Sequence, residues 1–147
     1  MPRIENSVVI EADARRVFEV TNDIGRWPDL FDEYNHAKVV SEEREGRWTE
    51  ILFELTNPEG STWSSWRLLD HRELTAVAER RDPLFPFRYM HLKWSYQQVP
   101  EGTLMTWVQD FEVDDAFDVP LPTVVERMQL HTRQNQAGIK RKIESGV

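Results

Sequence analysis

The chain has 147 residues and a mass of 17.4 kDa, with 39% hydrophobic and 30% charged residues, no cysteine and a formal net charge of -8. That length predicts a single domain over 1–147, because two cores of ordinary size need roughly 100 residues or more each. The absence of cysteine excludes disulfides, thiol catalysis and thiolate metal sites. The acidic balance argues against nucleic acid, and no stretch approaches the ~18 apolar residues that span a bilayer, so no membrane partner and a cytoplasmic location are expected.

In chain order, Asn6 to Glu11 is β-prone and predicts a first strand. Asp13 is a candidate N-cap for a short amphipathic helix carrying Val17, Val20 and Thr21. A second short helix or turn pair follows, where Ile24, Trp27, Leu30, Phe31 and Tyr34 recur at three- and four-residue spacing and share one face, with Pro28 tolerable in a first turn. From Ala37 to Val113 the pattern is strand. Turn signals fall at Glu45-Gly46, Asn57-Pro58-Glu59-Gly60, Asp70-His71-Arg72, Asp82-Pro83 and Pro100-Glu101-Gly102. They divide it into six strands joined by short turns, hence an antiparallel meander of about seven strands with the first.

After the turn-rich Asp114 to Pro122, Val124, Met128, His131, Thr132, Asn135, Ile139 and Ile143 recur at the helix period. Apolar ends and a polar middle suit a helix that closes a partly polar cavity; the alternative is that His131, Thr132 and Asn135 border the true stripe. This order predicts an α+β helix-grip fold: a curved antiparallel sheet around one long C-terminal helix, with two short helices after strand 1. The basic run Lys140-Arg141-Lys142, with Arg127 and Arg133 before it, suits a solvated helix C-terminus. Docking of an acidic carrier protein is the other reading.

Six tryptophans in 147 residues suggest either an aromatic core or a pocket for a planar ligand. Strand alternation places Trp63, Ser65 and Arg67 on one face and Thr62, Ser64, Trp66 and Leu68 on the other, without saying which points inward. If the first does, Arg67 is a buried cation that must find a carboxylate, water or an anionic ligand. Leu74, Ala76, Ala78 and Arg80 share one face of the next strand; Met90, Leu92, Trp94 and Tyr96 follow, and Gln109 is the polar exception between Trp107 and Phe111. His36, His71, His91 and His131 show no metal spacing, and no GxSxG or GxGxxG occurs.

The residues Thr21-Asn22-Asp23-Ile24, Trp27-Pro28, Leu30-Phe31, Glu33-Tyr34, Tyr89-Met90 with Trp94, and Trp107-Val108-Gln109-Asp110-Phe111 together resemble the monodomain aromatase/cyclases of bacterial aromatic polyketide synthases, such as those of tetracenomycin and spore pigments. The resemblance runs nearly end to end. It implies a START/Bet v 1-like helix-grip protein of antibiotic biosynthesis that binds a carrier-tethered poly-β-ketone and promotes first-ring aldol cyclisation and dehydration, between the ninth and fourteenth carbons. It implies no cofactor and no metal, and transient partners in the acyl carrier protein and minimal polyketide synthase. Carried over residue by residue, Arg67 would stabilise the enolate or alkoxide and Tyr34 would donate or relay a proton. Trp27, Phe31, Trp63, Ser65, Arg80, Phe87, Met90, Trp94, Gln109, Thr132 and Asn135 would bind substrate. His131 adds a titratable group with no assigned role. The rival reading is a non-catalytic START-like carrier of a lipid, quinone or polyketide; a helper that shields a synthase intermediate is a third.

Overall fold

The structure, a computed structural model, describes residues 2–146. Strand β1 spans Arg3–Ile10, three residues earlier than the expected start. Its antiparallel pairing reaches Arg3↔Asp110, and Ile4 is buried, so long-range pairing rather than β-propensity sets that end. Helix α1, Ala14–Thr21, starts at Asp13, whose carboxylate accepts from the Arg16 amide and satisfies one orphan donor of the first turn. Val17, Phe18 and Thr21 are its buried residues beyond Ala14.

The expected second short helix or turn pair is both a turn and a helix, and it ends before the last two residues of the spaced set. A 3-10 turn at Ile24–Arg26 leads into α2, Trp27–Leu30, and Phe31 is already extended at φ -110 and ψ 137. Phe31 and Tyr34 therefore lie beyond the helix. Aromatic packing explains the departure: leaving the helix at Phe31 brings its ring to 5.0 Å from Trp27 and 5.2 Å from Tyr34.

Six more strands follow: β2 His36–Glu45, β3 Trp48–Thr56, β4 Thr62–Asp70, β5 Thr75–Arg80, β6 Phe87–Val99 and β7 Gly102–Val113. With β1 they form one antiparallel sheet in the order β1-β7-β6-β5-β4-β3-β2; β2 to β7 are the meander that the turn signals predict, and β1 pairs with β7 across the sequence. A bulge between Phe87 and Tyr89 lets Phe87 and Met90 join one apolar cluster despite their odd spacing. Helix α3, Leu121–Glu144, lies along the sheet. Its N-terminal half contributes Val124, Val125 and Met128 to a cluster with Ile4, Met90 and Phe111, while Ile139 and Ile143 join a separate cluster with α1, α2 and β3.

Polar groups in the middle of α3 are satisfied by neighbouring strands. Gln136, only 2% exposed, donates to the Asn6 carbonyl, and Thr132 donates to Gln109 Oε1 at 2.8 Å. Gln136 belongs to the buried face and was absent from the periodic set. The basic run is partly committed to the protein itself. Lys140 donates to the Val9 carbonyl, and Lys142 to the Asp29 and Leu30 carbonyls at the end of α2.

Candidate functional site

Between the two apolar clusters lies a cavity of about 240 Å³. Inward-facing residues of β4 to β7 form its floor because every second side chain of a strand points the same way. On β4 that face is Trp63, Ser65, Arg67 and Leu69, which settles the alternation left open by the sequence. Trp94 and Trp107 stack across β6 and β7 at 4.1 Å and 7°, and Trp27 stacks on Trp94 at 5.8 Å. Phe31 and Tyr34 complete this wall, with Tyr34 nearly parallel to Trp27 at 5.7 Å. Thr132 and Asn135 close it from α3, and Gln109 faces them from β7.

Ser65, Phe87 and Met90 also line the cavity, as does Arg80. Arg80 is engaged there. Its Nε donates to the Pro83 carbonyl and one terminal nitrogen to the Phe85 carbonyl, while the guanidinium lies 4.5 Å from the Trp63 ring centroid. It braces the β5–β6 loop against the wall.

Arg67 alone among the predicted site residues is not in the lining. It is 1% exposed and sits one layer behind, its guanidinium carbon 4.1 Å from the Trp94 centroid and 5.2 Å from that of Trp27. No carboxylate answers it among the described residues. Nε donates to Asn22 Oδ1 at 2.8 Å, and Asn22 Nδ2 in turn donates to the Tyr96 hydroxyl, which shares a 2.6 Å hydrogen bond with Thr21. Nη2 is buried without a protein acceptor, as is Trp107 Nε1 within the wall. Burial lowers the Arg67 pKa to about 10, so the cation persists at neutral pH.

Tyr34 is pushed well above its ordinary value, chiefly by burial and then by the Glu33 carboxylate, with Arg67 and Arg80 opposing. It is a neutral hydroxyl that can donate. The sequence reading passed over Phe53 and Leu55, which alternation along β3 would have found, and Ala78, Leu92 and Trp107, which lay on faces it had drawn. Met128 lies on the α3 face already drawn, whereas Glu33 and Glu79 carry no such signal. Glu33, His131 and Asn135 line a shallow surface groove as well, together with Asp32 and Gln134, so the cavity opens between the α2–β2 loop and α3.

Comparison with known proteins bears on this geometry. The profile of the family described as polyketide cyclase / dehydrase and lipid transport matches residues 1–144. A protein of Streptomyces cyaneus that bears the name of a polyketide cyclase is 41% identical over 123 residues, covering 76% of this chain and 78% of the relative. Among solved structures, the ZhuI aromatase/cyclase of a Streptomyces species superposes with a TM-score of 0.74 at 18% identity, over 98% of this chain and 92% of that one. The di-domain aromatase/cyclase BexL of the BE-7585A biosynthetic pathway gives 0.77 at 20% identity over 98% of this chain, which spans about half (47%) of that protein. At these identities the structural likeness concerns the fold.

Proposed function

The chain belongs to the family of polyketide cyclases, dehydrases and lipid-transport proteins, and from that premise we propose that it folds a poly-β-ketone in the cavity and promotes aldol closure and dehydration of its first ring. The observation that carries the reading is Trp107 Nε1, a buried donor without a protein acceptor in the stacked-indole wall of the cavity, with the Arg67 cation one layer behind Trp94. Buried donors normally find partners. A chain with a ketone on alternate carbons supplies acceptors at short intervals along a body that otherwise suits aromatic walls.

In this reading Arg67 is the fixed cation whose charge favours the enolate and then the alkoxide, strongly so because water is excluded there. Tyr34 gives its proton to the alkoxide. The walls bring the reacting carbons together, and positioning of that kind is worth on the order of 7 to 11 kcal/mol in ideal intramolecular cases. Trp27, Phe31, Trp63, Trp94, Phe87 and Met90 shape the chain, while Ser65, Arg80, Gln109, Thr132 and Asn135 orient its oxygens. The proposed closure joins the ninth and fourteenth carbons, on substrate delivered by an acyl carrier protein of a minimal polyketide synthase.

The test is reconstitution of minimal synthase and carrier protein with malonyl-CoA, comparing products by liquid chromatography and mass spectrometry with and without this protein. One aromatic replacing the mixture of spontaneous products supports the cyclase, and its structure identifies the ring. An unchanged profile with several synthases favours the non-catalytic carrier instead. Tyr34→Phe is expected to lower product formation by about 100-fold, and full activity in that variant would remove the hydroxyl from the mechanism.

A further inference from the structure

The walls hold two carboxylates, Glu33 and Glu79. Glu79 is ion-paired to Arg81 at 3.1 Å and faces His91 at 3.7 Å. Glu33 is half-buried and has no ion pair among the described residues. It reaches both the cavity and the surface groove at the rim. The next residue is Tyr34, which lines the same cavity, and the Glu33 carboxylate is among the groups that raise the Tyr34 pKa. Of the other polar wall groups, Arg80 is a cation, Ser65, Gln109, Thr132 and Asn135 are not bases at neutral pH, and His131 is exposed at the rim.

We propose that Glu33 is the base of the ring closure and forms with Tyr34 a two-residue proton circuit, an inference that rests on the cyclase reading. Glu33 takes a proton from a methylene flanked by two carbonyls; that C–H bond breaks and its electron pair becomes the enolate. The enolate carbon attacks the distal ketone carbon, forming the C–C bond and leaving an electron pair on the ketone oxygen. Tyr34 gives its proton to that oxygen, and Glu33, now a carboxylic acid, returns its proton to the Tyr34 phenolate. One proton leaves carbon and one arrives on oxygen, so both residues end as they began and no co-reactant is consumed.

Three measurements on Glu33→Gln and Glu33→Asp test this. The first is kcat for first-ring product in the reconstituted synthase. The second is exchange of methylene hydrogen for deuterium in a 1,3-diketone probe too short to cyclise, followed by NMR. The third is binding of the same probe, read by quenching of tryptophan fluorescence. Glu33→Gln is expected to lower kcat and protein-catalysed exchange together by about 100-fold or more, with probe affinity unchanged, and Glu33→Asp to recover part of both. A Glu33→Gln protein that cyclises and exchanges at the wild-type rate overturns the assignment and leaves the cyclase reading intact. Loss of probe binding along with rate overturns it too, since Glu33 would then hold substrate rather than move its proton. If the wild-type protein neither alters the product profile nor catalyses exchange, the cyclase reading fails and this inference fails with it.

Discussion

Arg67 sits where a sequence optimised for stability would place a methionine or leucine. Its charge is 1% exposed, faces no carboxylate among the described residues and is held by one amide oxygen and two indole faces. A guanidinium lowered from its ordinary value to about 10 is disfavoured by the fold on the order of 3 kcal/mol while it stays charged. The sign follows from linkage: the unfolded chain binds this proton more tightly, so the penalty is constant below pH 10 and is relieved only as pH rises through it. Cation–π contact with Trp94 and Trp27 returns about 2 kcal/mol when desolvated. Arg67→Met is therefore expected to melt within a few degrees of the wild-type protein, or above it, with the same difference at pH 6 and pH 9. Product formation in the reconstituted assay should fall about 100-fold or more, the loss typical of removing one preorganised stabilising group. Full product from the Met variant would leave the buried cation without a catalytic purpose, and a fall in melting temperature of about 10 °C or more would make it structural.

At the scale of elements, the turn between β6 and β7 shows how tightly local chemistry and long-range packing are joined. Gly102 has φ +138, and a Cβ built there would lie 2.1 Å from the Ile10 carbonyl oxygen, against the end of β1. Thr103 beside it donates to the Ala12 carbonyl, so the hairpin, β1 and the start of α1 meet at one point. Gly102→Ala must move backbone rather than a flexible side chain, and a loss of at least about 2 kcal/mol is expected in urea unfolding; a change below about 0.5 kcal/mol would mean that β1 can shift freely. The Pro100-Glu101-Gly102 turn was legible in the sequence because glycine and proline act locally. Likewise, period-two alternation assigned Trp63, Ser65 and Arg67 to one face, since pleating leaves no other choice. What stayed illegible depends on contacts distant in sequence. Three- and four-residue spacing puts Phe31 and Tyr34 on one face with Trp27 without saying where the helix ends, and stacking with Trp27 places both beyond it. Nothing local distinguishes Glu33 from the exposed Asp32 beside it, and nothing in β4 says that Trp94, some 27 residues on, will cover Arg67.

For the whole molecule, the decisive feature is that the sheet grips α3 through two separate apolar clusters and leaves the space between them to aromatic and polar side chains. At about 240 Å³ that space falls below the roughly 300 to 1,000 Å³ usual for small-molecule pockets. The rings of Trp27, Phe31, Tyr34, Trp63, Trp94 and Trp107 line it. A planar fused aromatic gains ring stacking there, worth roughly 0.5 to 1.5 kcal/mol per pair beyond burial, whereas a saturated chain of equal area gains burial alone. The two functional readings thus diverge in a way that needs no synthase. On the cyclase reading a hydroxylated two- or three-ring aromatic, resembling product, binds the native state and not the unfolded chain. At a concentration 100 times its dissociation constant it adds about 2.7 kcal/mol, which for a chain of this size raises the melting temperature by about 5 to 10 °C. A long-chain fatty acid at the same concentration should produce a clearly smaller shift. The reverse ranking, together with a fatty acid that survives purification on the protein, would show a space built to hold a lipid, and the unpaired Trp107 donor would then be sought by its carboxylate.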